Sequence, residues 1–167
     1  MAGEPAARAV EADPTGALEA FLTYRLHRVN KLTDRDSLRA YLHECGLPLS
    51  EGRALAAIGR FAPLSVKDLA QAANLDKAQA SRSAQALVQR GMVSKQTSAA
   101  DGRGVVLALT PAGESAYQDV MAMIARRNAE IFGCLAPVEQ QALATLLDRV
   151  ANHLVATEEG GRRAEDA

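Results

Sequence analysis

The segment Ser65–Thr110, SVKDLAQAANLDKAQASRSAQALVQRGMVSKQTSAADGRGVVLALT, constrains the fold more than any other part of the chain. It is punctuated by residues that start and stop helices. Ser65 is placed as an N-cap, with Val66, Leu69, Ala70 and Ala73 as the inward positions of the helix that follows. Asn74 and Leu75 make a turn. Asp76 caps a second helix from Lys77 to about Gln89, because its carboxylate can accept from free backbone N–H groups. Gly91 ends that helix by supplying a left-handed backbone position. Val93–Gln96 and Val105–Leu109 then read as strands, joined by the polar, glycine-containing stretch 97–104. Helix, tight turn, helix and β-hairpin in this order make a winged helix-turn-helix, a mainly α fold with a small β-hairpin wing.

The flanking sequence is helical. Leu18, Phe21, Leu22, Val29 and Leu32 recur at helical spacing from about Thr15. Asp34 is expected to cap a continuation through Leu38, Tyr41 and Leu42 that ends at Gly46. Ser50 is expected to cap a helix bearing Leu55, Ile58 and Phe61, closed by Pro63. Thr110-Pro111 reads as an N-cap followed by proline in the first turn, opening a helix to about Phe132. A last helix starts near Pro137, with Val138, Ala142, Leu143, Leu146, Leu147, Val150 and Leu154 on one stripe. The resulting division is 1–14 disordered N-terminus, 15–48 N-terminal dimerisation helix region, 49–110 winged helix-turn-helix, 111–156 C-terminal dimerisation helices and 157–167 flexible tail. The terminal stripes would expose apolar surface on a soluble monomer, and pairing with a second copy covers them, which predicts a two-fold homodimer.

Charge is uneven. The net charge is −1 over 167 residues. Between Lys77 and Arg103, however, Lys77, Arg82, Arg90, Lys95 and Arg103 face only Asp101, a local excess of four positive charges. Such clustering is the electrostatic footprint of a nucleic-acid reader. On the second helix, Ala80, Ala84, Leu87 and Val88 share the packing face. Ala78, Gln79, Arg82, Gln85 and Gln89 lie on the other side, where Arg can donate to guanine, Gln can pair with adenine and Ala can touch a thymine methyl. Ala78, Ser81, Ser83 and Ala86 are small enough for close approach. Lys77, Ser81 and Ser65 are assigned to phosphates. The competing reading of this face is an ordinary solvated helix surface.

The hairpin end, DGRGVVLALT, carries a family resemblance. Asp101, Arg103, Leu109 and Thr110 match the D-x-R-x-x-x-x-x-L-T signature of the MarR family of bacterial transcriptional regulators. LSEGRALAAI, LSVKDLA and QASRSAQALVQRGMV upstream are similar to that family in the same order. The resemblance covers about residues 15 to 155. It implies a dimeric winged helix on pseudo-palindromic double-stranded DNA operators, usually as a repressor released by a small molecule. It also implies that Arg103 enters the minor groove, where a narrow groove favours an inserted guanidinium, with Asp101 orienting it. The other reading of Asp101 and Arg103 is a hairpin salt bridge, and both can hold. Ser98, Ala99, Ala100 and Gly102 carry less charge than many family wings, and Lys95 partly compensates.

Family habit further implies an anionic aromatic effector, here a phenolic acid or its coenzyme A thioester. Tyr24, Arg25, Arg28 and Arg53 are the candidate contacts, with Tyr41, His27 and His43 nearby in sequence. Surface or interface charges are the competing reading for these arginines. A redox regulator using Cys45 is an alternative, although Cys45 follows His43 and Glu44 and does not match the position of the reactive cysteine in peroxide-sensing relatives. A winged-helix protein-interaction module is another. Two cysteines form no disulfide framework, and His27, His43 and His153 are too scattered for a zinc site. No nucleophile–base set or phosphate loop appears, so no catalytic residue, metal or cofactor is assigned. The absence of a signal peptide or membrane span in the sequence predicts a cytoplasmic protein.

Overall fold

The computed structural model describes residues 17–97 and 104–165, with side chains described to residue 157. After a 3₁₀ turn at Leu18–Ala20, six helices and one hairpin follow. They are α1 (Leu22–Cys45), α2 (Leu49–Phe61), α3 (Val66–Ala72), α4 (Lys77–Gln89), β1 (Val93–Thr97), β2 (Val105–Leu109), α5 (Pro111–Phe132) and α6 (Pro137–Glu165). The fold is the mainly helical winged helix-turn-helix that the sequence predicts.

Three of the expected caps form as read. The Ser65 Oγ accepts from the Asp68 N–H at 3.2 Å and donates to the Asp68 carboxylate at 2.7 Å, a reciprocal capping box. The Asp76 carboxylate accepts from the Gln79 N–H at 2.7 Å. Thr110 Oγ1 accepts from the Gly113 N–H at 3.0 Å.

Two other caps do not form. Asp34 lies inside an unbroken α1, and its carboxylate accepts from Arg53 instead of from backbone amides. Once a helix is nucleated, extending it costs less than starting another, and Thr33 points its hydroxyl back at the Val29 and Asn30 carbonyls. Ser50 lies within the first turn of α2, so it cannot hold the non-helical N-cap conformation. Pro48 holds it, without a side-chain bond. At the other end of the chain, the helix expected to give way to a tail at 157 continues to Glu165.

The core lies where α2, α3, α4 and the hairpin meet. Leu47, Leu55, Ile58, Leu69, Leu87, Leu107 and Val120 are its largest fully buried side chains. The hairpin is antiparallel, with Val93 opposite Leu109 and Lys95 opposite Leu107. The Leu107 N–H donates to the Leu64 carbonyl at 2.9 Å, so the segment before α3 adds a bridge to β2. Ala80 and Ala84 are buried as expected. Ser83, expected on the outer surface, is buried at 3% exposure. It lies next to Ala84 and one turn after Ala80, on the packed arc of α4.

A compact joint connects the reader to α5. Gly91 takes a left-handed φ of 72°, as expected of the residue that stops α4. The Thr110 hydroxyl donates to the Gly91 carbonyl at 2.6 Å, and the Thr110 N–H donates to the Met92 carbonyl at 3.0 Å. Gly113 packs so tightly under this turn that a Cβ there would overlap the Met92 carbonyl oxygen. Gly113→Ala is therefore expected to lower stability by about 2 kcal/mol. In a chain of this size that is a fall in thermal midpoint of about 4–8 °C. An unchanged midpoint in a melting experiment would show that the turn and α5 separate freely.

Candidate nucleic-acid interface

Helix α4 presents Lys77, Ala78, Gln79, Ser81, Arg82 and Gln85 on its exposed side. The Asp76 cap fixes where the helix begins, and the burial of Ala80, Ser83, Ala84 and Leu87 fixes its rotation. The outer face is thus a consequence of packing. It offers short side chains interspersed with long donors, the combination that lets a helix enter a major groove.

The basic residues divide into two groups. Arg90 is used structurally: its Nε pairs with the Glu51 carboxylate at 3.0 Å, and its Nη1 reaches the Gly46 carbonyl at 3.4 Å. This ties the end of α4 to α2 and the α1–α2 turn. No ion pair engages Lys77 or Arg82 among the described residues. Lys95 lies on the hairpin face that also carries Leu107, and its Nζ donates to Gln85 Oε1 at 3.0 Å. Ser65 is capped by Asp68, which puts a carboxylate at the N-terminus of α3. The hydroxyl assigned to phosphate is therefore already engaged. Asp101 and Arg103 lie outside the described residues.

Of the four candidate effector contacts, only Arg53 lines the main cleft. This cleft holds about 630 Å³ between α1, α2, α5 and the α3–α4 turn, and Asn30, Asp34, Tyr41, Arg53, Phe61 and Asn74 form much of its wall. Tyr24, Arg25 and Arg28 do not line it. Their part of α1 lies N-terminal to Asn30, and a helix advances 1.5 Å per residue. Arg25 bonds instead to the Glu19 carbonyl at 2.9 Å. Arg53 Nη2 meets the Asp34 carboxylate at 2.6 Å, with each side chain 36% exposed. An ion pair this open to water contributes about 1 kcal/mol or less.

Tyr41 and Arg53 also line a smaller cleft of about 210 Å³ with Arg127 and Phe132. Arg127 donates from Nη1 to Glu130 at 2.7 Å, while its buried Nε has no partner among the described residues. Sequence reading missed Asp34 and Arg127 as cleft residues. Each looks like a surface charge on its own helix, and the spacing along one helix gives no sign of the neighbour it meets.

Burial raises the pKa of Tyr41 above its ordinary value, opposed by Arg53 and reinforced by Cys45. Burial likewise pushes the Cys45 thiol up, and Glu44 and Asp119 add to the effect against Arg126. A thiol held protonated is a poor nucleophile, so this environment works against redox sensing at Cys45. The folded state binds this proton more tightly than the unfolded chain does. The stability Cys45 contributes is therefore present below the ordinary thiol range and lost as pH rises through its folded pKa. In a Cys134→Ser background, thiolate absorbance at 240 nm is expected to appear at higher pH than for free cysteine. A midpoint below the free value would restore Cys45 as a reactive centre.

The model for the MarR family matches residues 46–104, which include α2 to β1. A curated relative, the HTH-type transcriptional regulator BilQ of Clostridium symbiosum, is 28% identical over 93 residues. That match covers 56% of this chain and 65% of the relative, so the chain spans somewhat less than two thirds of that relative's length. Among solved structures, a MarR-family transcriptional regulator from Silicibacter pomeroyi superposes with a TM-score of 0.70 at 28% identity. The superposition covers 81% of this chain and 92% of that one. The Mycobacterium tuberculosis MarR-family protein Rv2887, in complex with salicylic acid, gives a TM-score of 0.64 at 25% identity. It covers 78% of this chain and 96% of that one.

Proposed function

We propose that this chain is a winged helix-turn-helix transcriptional regulator of the MarR family, as the family-model match and the similar regulators support, and that it is a homodimeric repressor of a pseudo-palindromic operator. The observation that carries the reading is the outer face of α4. It is rotated outward by a buried seam, edged by small residues and supplied with Lys77 and Arg82, which no ion pair engages among the described residues. In this reading Ala78, Gln79, Arg82 and Gln85 meet base edges, and Lys77 and Ser81 meet phosphates. Lys95 supports the wing, and Arg103 enters the minor groove. Ser65 is the weakest member of the set, because Asp68 already takes its hydroxyl.

The dimer is supported by unpartnered apolar surface at both ends of the fold. Leu22, Leu26, Val29 and Leu32 on α1 are exposed, as are Val138, Leu146, Val150 and Leu154 on α6. We assign these stripes to the interface between two copies. The division into an N-terminal dimerisation helix, a reader over 49–110 and C-terminal dimerisation helices follows from that assignment.

The effector proposed is a small aromatic acid, either a phenolic acid or its coenzyme A thioester. Arg53 is its anchor, and the main cleft holds the ring. The salicylic acid bound by the Mycobacterium tuberculosis relative supports the chemical class. So does the lining of the cleft, which combines the Arg53 guanidinium with Tyr41, Phe61 and Ile124. The ligand carboxylate would compete with Asp34 for Arg53, exchanging one charge-assisted pair for another.

Arg82→Ala is expected to weaken operator binding by about 5- to 150-fold in a gel shift at fixed salt, the range of a bidentate base contact. Arg103→Ala should also weaken it, and both variants should still elute as dimers. Unchanged affinity in both would remove this assignment of the reader. Binding should also fall steeply with salt, with half-site centres about 10 bp apart. For the effector, salicylate or a related aromatic acid should raise the thermal midpoint of the unaltered protein and leave Arg53→Ala unmoved. An equal rise in both proteins would take the anchor away from Arg53.

A further inference from the structure

Gln85 is the residue of the α4 face whose chemistry the structure changes most. A free glutamine offers one carbonyl acceptor and one amide donor group, the pair that adenine reads with N6 and N7. Here the carbonyl oxygen is already engaged. Lys95 Nζ donates to Gln85 Oε1 at 3.0 Å, across ten positions of sequence. Lysine only donates, so the partner atom must be the oxygen and the amide nitrogen must face the other way. The orientation of the amide is thus fixed by chemistry.

The placement of Lys95 is not accidental. It shares the hairpin face with Val93 and Leu107, which are buried at 2% and 0% exposure. Strand alternation therefore turns Lys95 toward α4 and turns Ser94 and Gln96 away from it. Those two residues bond to each other, from Gln96 Nε2 to Ser94 Oγ at 3.4 Å. Both Gln85 and Lys95 are exposed, and Gln85 lies one turn beyond Arg82 on the outer side of α4.

We propose that Lys95 is a positioning residue that converts Gln85 from an adenine reader into a donor-only reader, selecting guanine at the base it meets. This rests on the DNA-binding reading above. The Gln85 carbonyl keeps a second lone pair, but an adenine amine using it would sit beside the Lys95 ammonium, positive edge against positive charge. Guanine presents two acceptors, N7 and O6, in the major groove. The Gln85 amide and the two remaining Lys95 N–H groups are donors that match them. With Arg82 one turn earlier, this end of the face becomes wholly donating.

The test is selection from a randomised duplex library, followed by competition binding with each base at each selected position. It compares the unaltered full-length protein with Lys95→Met and Gln85→Ala. Met keeps an unbranched side chain of nearly the same length and removes its donors and charge. The unaltered protein should show a guanine position preferred over adenine by about tenfold. Lys95→Met should move that position toward adenine, and Gln85→Ala should flatten it. Overall affinity should also fall in Lys95→Met because a cation is lost, but the ratio between bases is independent of that loss. The same base ratios in the unaltered protein and Lys95→Met, or adenine preferred by the unaltered protein, would overturn the proposal while leaving DNA binding intact. Selection of no sequence by the unaltered protein would instead overturn the DNA-binding reading, and this proposal with it.

Discussion

The reader depends on the hydrogen-bonded joint at Thr110. One residue closes three elements. Its hydroxyl accepts from Gly113 to start α5 and donates to the Gly91 carbonyl at the end of α4, while its N–H donates to the Met92 carbonyl just before β1. Gly113 allows the Met92 carbonyl to lie against the first turn of α5. The end of the recognition helix, both ends of the hairpin and the start of a long helix therefore share one small volume. The end of α4 and the start of α5 are tied directly through Thr110 and its bonds to Gly91, Met92 and Gly113. The long helices thus have a short mechanical route to the outer face of α4.

Electrostatics follows the same economy. A whole-chain charge of −1 gives no long-range attraction for a polyanion. Even the local excess around α4 is smaller in effect than in number. Arg90 is taken by Glu51, whereas Lys95 keeps its charge while one of its donors bonds to Gln85. What remains is a short series of cations set close to positions where bases or phosphates would lie. A surface of this kind relies more on fit than on general attraction, and its binding to arbitrary DNA should be correspondingly modest.

Local signals made the reader legible in the sequence. Ser65, Asp76 and Thr110 cap their helices through contacts only three residues away, so residue type and spacing suffice. Gly91 was legible for the same reason, since a left-handed stop depends on its own backbone. The failures were of two kinds. Asp34 and Ser50 are cap-type residues whose local preference lost to a helix already under way or already begun. Ser83 was misplaced by the tilt of the packed arc, which a helical wheel resolves only to within a residue. The cleft was hardly legible. Arg53 and Asp34 are 19 positions apart, and only the crossing of α1 and α2 brings them together. Tyr24, Arg25 and Arg28 lie farther toward the start of α1 than the cleft, whose lining on that helix begins at Asn30, and sequence proximity does not show how far along a helix a cleft begins.

The exposed apolar stripes bear on why the fold has its shape. Leu22 and Val138 are each 75% exposed, and neither end of the fold has a core of its own to cover them. Within one chain, the buried core is concentrated in α2 to β2 and the middle of α5. The long helices therefore gain little from intramolecular packing over much of their length. In the proposed dimer that surface is the source of association, and it lies outside the compact unit that carries α4. Association and DNA reading are then assigned to different surfaces of the same helical frame. The cleft with Arg53 lies where that frame meets the reader, between α1, α5 and the α3–α4 turn. A molecule bound there would touch helices from both parts at once. It could therefore favour one relative position of the two readers over another through contacts of its own, which is what an effector must do to shift an equilibrium.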